Sequence, residues 1–192
     1  MKAVVLAELR DGNEIMKRRW STGTPIGSEP DFEYANVYLA LVQATQRFDG
    51  PDVLMALIPT LGNSASARKR VSSFGVTAID PLLAAYDEPI GIRRMASQRQ
   101  SFLDTLSQIV LQTNVPAPTR AKLLTLATEA LKSTEPPEVA GGMLLGAALR
   151  DPGLIANIRQ LRASGFPGVK DPRSQNYLEA FAKEAFERAG VR

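Results

Sequence analysis

Apolar residues between Ile92 and Val110 fall along one line of a helix. Ile92, Met95, Ala96, Phe102, Leu103, Leu106, Ile109 and Val110 recur at i, i+3, i+4 and i+7 spacing. That is the period of an α-helix burying one face, and the strict alternation of a half-buried strand is missing. Only Arg99 interrupts the line, at a place where an arginine can lay its stem on the core and carry its head to water. Such a helix needs covering elements, and the segments on either side read as helices too.

A helical body is expected over residues 32–163. Phe32 to Phe48 reads as a helix with Tyr34, Val37, Tyr38, Leu41, Val42 and Phe48 near helical spacing, stopped by Asp49-Gly50-Pro51. Asp52 is placed to cap the next piece, which ends at Gly62. Ser64 or Ser66 is placed to cap a short basic helix through Phe74, with Gly75 as its stop. Asp80-Pro81 and Asp151-Pro152 each set a capping residue before a proline, the preferred order at a helix start. Thr119 to Lys132 would bury Leu123, Leu124, Ala127, Ala130 and Leu131. Pro136 or Pro137 would open a helix with Val139, Met143, Leu144 and Ala147 inward. The Asp151-Pro152 helix would bury Leu154, Ile155, Ile158 and Leu161 and stop at Gly165.

Two Pro/Gly-rich connections bracket this body, residues 21–31 and 164–174. They divide the chain into an N-terminal segment and loop (1–31), the body (32–163), and a loop with a C-terminal helix (164–192). That last helix, with Ser174 as its cap and Gly190 as its stop, is expected to pack on the body or on a neighbouring subunit. In the N-terminal segment, Asp11-Gly12 is a hairpin signal, but Val5, Leu9, Met16 and Trp20 suit one helix face. Helix is the favoured reading. The expected fold class is all-α, an irregular α-solenoid or multi-helix bundle of antiparallel helix pairs.

Composition removes several chemistries. The 192 residues include no Cys and no His. Thiolate nucleophiles, disulfides and zinc fingers are therefore out, as are the commonest general base and the commonest metal ligand. No metal, cofactor or catalytic residue is assigned. No apolar run approaches the roughly 20 residues that span a bilayer. Charges at Glu8, Arg10 and Asp11 end the apolar patch at Ala3 to Ala7 too soon for a signal peptide. The expectation is a cytoplasmic protein without a membrane partner.

The stretch TAIDPLLAAYDEPIGIRRMASQRQSF, residues 77–102, has an apolar helix, an acidic turn and a helix opening on Ile-Arg-Arg. It resembles one unit of the HEAT-type α-helical repeat proteins, with Asp87, Ile92, Arg93 and Ala96 at the positions where those repeats show Asp, Val, Arg and Ala. The resemblance implies that Asp87 and Arg93 serve a polar ladder between neighbouring repeats and that Ala96 permits close helix contact. The intervals to the looser units on either side, 25 and 47 residues, depart from the roughly 40-residue HEAT period.

Charge is uneven. Residues 1–61 carry a balance of −2, residues 62–122 of +4 and residues 123–192 of +1. In the basic third, Arg68, Lys69 and Arg70 are contiguous, and Arg93 and Arg94 follow in the HEAT-like unit. Aligned on one face, these five could grip phosphates in a salt-dependent way. An ordinary solvated face is the competing explanation. Lys17-Arg18-Arg19-Trp20 admits the same pair of readings. The carboxylates Asp87, Glu88, Glu135 and Glu138 sit at turns and helix starts, where capping is their usual use. Ser66 and Lys69 fit the S-x-x-K spacing of some serine nucleophiles, without any supporting motif. Gly141, Gly142 and Gly146 lie inside a helical pattern, which suggests close approach by a neighbour. The expected function is non-catalytic: a helical interaction or scaffold protein binding another protein or itself. The alternative is a nucleic-acid-binding nucleoprotein or coat-like protein using Arg68, Lys69, Arg70, Arg93 and Arg94.

Overall fold

The computed structural model describes residues 1–22, 29–62, 64–87 and 95–190, the side chains of 16–35, 95 and 96 excepted. Among these residues the chain is all-α, a multi-helix protein without strands. Its helices are α1 (Lys2–Thr22), α2 (Glu29–Ala44), α3 (Pro51–Leu57), α4 (Ala65–Ser72), α5 (Ile79–Tyr86), α6 (Met95–Gln112), α7 (Ala117–Ala130), α8 (Pro136–Ala148), α9 (Pro152–Ala163) and α10 (Pro172–Ala189). They form two compact units, Met1–Met95 and Ala96–Arg192. No described helix is long and apolar enough to cross a membrane.

In the first unit α1 packs on α2 and α3. The N-terminal segment is helical, as favoured, and Asp11-Gly12 lies within α1 rather than in a hairpin turn. Gly12 and Asn13 are buried there. Asn13 is a polar side chain in the core with a defined use. Its Nδ2 donates to the Ala56 carbonyl at 2.9 Å, and its Oδ1 accepts from the Tyr38 hydroxyl at 2.5 Å. Ala56 needs that donor because the residue three places on is Pro59, which has no N–H, and the chain has tightened into a 3-10 turn over Ile58–Thr60. One buried amide thus ties three helices together.

Several local expectations change at this level. Val37, near the helical spacing of its apolar neighbours, is 57% exposed, because the core line runs through Tyr38 and Val42 of α2 and Thr45 of the 3-10 turn that follows. Asp52 does not cap α3. Gly50 is the cap and Pro51 the first helical residue, which places Asp52 inside the first turn, where it takes an ion pair from Lys2 Nζ at 2.9 Å. That pair holds the Asp52 carboxyl below its ordinary range. Ser64 does cap α4, accepting from the Ala67 N–H at 3.2 Å. Asp80 is not a cap. The chain is already helical through Gly75–Ala78, and Ala78 keeps helical dihedrals (φ −84°, ψ −15°), so Asp80 enters as part of the first turn.

The second unit is built around α8. Every residue from Glu138 to Leu149 is buried, so this helix is covered on all sides rather than along the single stripe of Val139, Met143, Leu144 and Ala147. It packs on α7, α9 and most extensively α10, and Gly141 faces Leu103 of α6. The glycines make that crowding feasible. A Cβ at Gly141 would lie 2.8 Å from Leu103 Cβ, and one at Gly142 would lie 2.9 Å from Ala130 Cβ and 3.1 Å from the Leu131 backbone nitrogen. Arg99 is half-buried, its side chain 29% exposed. Its Nη1 pairs at 3.1 Å with Oε1 of Glu138, whose other oxygen accepts from Ser133 Oγ at 2.8 Å. Arg188 performs a similar service for α10, donating to Asp104 and Ser107 of α6.

Candidate functional site

A concave surface belongs to the hairpin of α9 and α10, and its construction can be followed from sequence. Asp151 caps α9, accepting from the N–H groups of Gly153 and Leu154 at 3.0 Å each, with Pro152 as the first helical residue. Asp171 and Pro172 do the same for α10. The cap there is Asp171, not Ser174. Ser174 instead donates its N–H and hydroxyl to the Asp171 carboxylate at 2.9 and 2.8 Å, which lowers the pKa of that carboxyl. Between the helices, Gly165 (φ 68°) and Phe166 (φ 56°) both adopt left-handed backbone, and Phe166 is buried. A phenylalanine is uncommon in that conformation. Burial of its ring and the bond from its N–H to the Leu161 carbonyl at 2.9 Å hold it there.

With Leu154, Ile158, Leu178, Ala182 and Ala185 buried, the outer edges of the two helices frame a groove of about 650 Å³. Its walls are Arg159, Arg162, Ala163, Glu179, Lys183, Phe186 and Glu187. The guanidinium carbons of Arg159 and Arg162 lie 6.0 and 5.8 Å from the centre of the Phe186 ring, within cation–π range. Arg162 also donates from Nε to Glu179 at 2.7 Å, and this pairing raises its already high pKa. Guanidiniums at that distance from a ring keep N–H groups that can meet a carboxylate or phosphate. Elsewhere on α10, the rings of Tyr177 and Phe181 lie 4.8 Å apart, tilted at 50°, and burial raises the Tyr177 hydroxyl pKa.

The five basic residues singled out in sequence are placed differently. Arg93 and Arg94 lie outside the described residues, as does the Ile92 step of the HEAT-like motif. Asp87, its acidic partner, is exposed at the C-terminal end of α5. Arg68 donates to the Leu61 carbonyl at 2.9 Å. Arg70 donates to the Phe48 carbonyl at 2.6 Å, to Asp49 at 2.5 Å and to Ser73 Oγ at 3.0 Å, with its guanidinium 4.7 Å from the Phe74 ring centre. Lys69, between them, is exposed. The side chains of Lys17, Arg18, Arg19 and Trp20 are outside the description. Glu138, one of the carboxylates considered for chemistry, is held by Arg99 and Ser133, and Glu135 lies at the start of α8.

Sequence reasoning did not find the α9–α10 groove. Its local signal is present, in Arg159 and Arg162 three apart and in Glu179, Lys183 and Phe186 at helical spacing. What turns two polar helix edges into one groove is the pairing of the helices, which spacing alone does not show. Among the described residues no group of three or more acidic side chains is placed to hold a metal ion. Comparison with protein-family models, with curated proteins and with solved structures found no match to this chain.

Proposed function

We propose that this chain is a non-catalytic helical interaction protein whose contact surface in the second unit is the α9–α10 groove. The observation that carries this reading is the groove itself: the guanidiniums of Arg159 and Arg162 within 6.0 Å of the Phe186 ring centre, in a concavity lined by both helices. Aromatic and arginine side chains are those most often found at the energetic centres of protein interfaces. The chain's other charged clusters support the reading from the opposite side. Arg99 with Glu138 and Arg188 with Asp104 join helices.

Nucleic-acid binding through a basic face of the first unit is the second reading, and the exposed Lys69 favours it. It has less support, since Arg68 and Arg70 already bond to backbone carbonyls. The test of the first reading is a photo-crosslinking residue introduced at exposed Ala163 in the intact chain. The expected result is a discrete protein adduct that Arg159→Glu with Lys183→Glu removes. Adducts only from other surfaces, or only to nucleic acid, would refute it.

A further inference from the structure

We propose that the α9–α10 groove receives α10 of a second copy of this chain, the two α10 helices lying antiparallel about a twofold axis. This rests on the groove being a protein-binding surface, and it names the partner. The groove holds charges of both signs. Arg162 and Glu179 satisfy each other, whereas Lys183 and Glu187, both exposed, make no ion pair among the described residues. They stand four apart on one helix with lysine first, the less favourable order for a pair within a helix. An acidic peptide or a nucleic acid would meet Arg159 and Lys183 but would be opposed by Glu187. A surface with unpaired charges of both signs is matched by a second copy of itself.

The exposed line of α10 has the symmetry such a contact needs. Ala180, Lys183, Glu187 and Gly190 are all exposed and fall within about 80° of the helix circumference. Their order is small, cation, anion, small. Turned end for end about the level of Ala185, the line matches itself. Lys183 then meets the partner's Glu187, and Ala180 meets the partner's Gly190, the left-handed residue that ends the helix. Small residues at both ends let the two backbones approach closely. Phe186 lies one residue from the level of the axis, so the two Phe186 Cα atoms are offset by only about 3 Å along the helices. Each ring, half-buried in the single chain, can cover the other at the centre of the contact. In this arrangement α9 lies outside the pair of α10 helices, which leaves the two Arg159 side chains on opposite sides of the axis.

A twofold contact uses the same patch on both chains and closes on itself. In light scattering or sedimentation of the full chain, the wild type should rise with concentration from one chain mass to two and stop there. Salt should weaken the dimer, since its ion pairs lie near solvent. Lys183→Glu sets carboxylate against carboxylate across the axis, and Glu187→Lys sets ammonium against ammonium, so each should dimerise at least about tenfold more weakly. Mixed in equal amounts, these two variants should form a one-to-one dimer, because each supplies the charge the other lacks. The double exchange, Lys183→Glu with Glu187→Lys, should dimerise by itself. A wild type that stays monomeric at low salt, or one that grows past two chains, overturns the proposal, and neither result requires a variant to fold. Single exchanges that dimerise like wild type overturn it too, as do a mixture and a double exchange that both stay monomeric with native helix content. Should the chain be monomeric while Ala163 crosslinks to a different protein, self-docking fails and the interaction reading stands. Should Ala163 give no protein adduct, that reading fails too.

Discussion

The glycines of α8 offer the sharpest check on how the second unit is packed. Replacing glycine by alanine inside a helix should by itself stabilise by about 1 kcal/mol. At Gly142 the added methyl would meet Ala130 Cβ at 2.9 Å, the Leu131 nitrogen at 3.1 Å and the Ala130 carbonyl carbon at 3.2 Å. Carbon pairs rest at about 3.5–4.0 Å, so the overlap is roughly half an ångström or more. These neighbours are backbone and a Cβ, none of which can rotate aside. Overpacking of this kind costs about 1–3 kcal/mol, so Gly142→Ala should forfeit the propensity gain and destabilise by a net ~0–2 kcal/mol. Gly146 is the control on the same helix. Its nearest neighbours are Leu154 Cβ at 3.4 Å and Cδ1 at 3.5 Å, close to ordinary contact. Gly146→Ala should therefore keep most of its propensity gain and stabilise by ~0.5–1 kcal/mol. Because the chain has two compact units, amide hydrogen exchange of α7 and α8 peptides is the appropriate measurement, since it reports the second unit separately. Gly142→Ala equal to or more stable than Gly146→Ala would refute the close-approach argument.

Three further outcomes are expected. Asn13→Leu strands the Ala56 carbonyl and removes the Oδ1 acceptor of the Tyr38 hydroxyl and should cost about 2–3 kcal/mol, with Tyr38→Phe costing about 1 kcal/mol, in urea melts of the full chain. Arg70→Ala removes bonds to Phe48 and Asp49 and should lower stability by about 1–2 kcal/mol, whereas Lys69→Ala should leave the melting midpoint unchanged; equal effects would contradict the placement of the two side chains. The Asp171 carboxyl is lowered from its ordinary value of 3.8 mainly by Ser174, so its cap contributes above that value and is lost as pH falls through the lower folded one. The Tm difference between wild type and Asp171→Ala should accordingly hold steady above about pH 5 and shrink as the pH falls below 3.8; a difference that grows with acid would reverse the assignment.

How much of this was legible depended on whether the deciding interaction was local. Asp-Pro pairs show the limit well. At Asp151 the backbone arrives extended (ψ 124°) and the pair caps a helix. At Asp171 the same pair works identically (ψ 122°), although Ser174 looked the better candidate in sequence. At Asp80 the preceding residues are already helical, so the carboxylate has no free N–H groups to meet in the capping geometry. The helix of Gly141, Gly142 and Gly146 was legible as a site of close approach, but not as a helix enclosed on every side. Reading Val139, Met143, Leu144 and Ala147 as its inner face presumed that another face met water, and no face does.

Charge was the least legible property, for a reason the first unit makes plain. Its helices α3, α4 and α5 are short, with 3-10 turns at Thr45–Arg47, Ile58–Thr60 and Gly75–Ala78, and each interruption leaves carbonyls without an intrahelical partner. Arginine carries several donors at the end of a long stem, which suits it to collect such carbonyls. Arg68 takes Leu61 and Arg70 takes Phe48. A dense basic run in a unit of broken helices is therefore as much a sign of unsatisfied backbone as of a polyanion. In the second unit longer helices close their own carbonyls over more of their length, and cations such as Arg159 and Lys183 can be presented along a groove. The same residue type thus has two uses, and the second unit holds both, since Arg120 donates to the Leu149 carbonyl at the end of α8. What separates the two uses is helix continuity, a property that proline and glycine positions announce before any charge is counted.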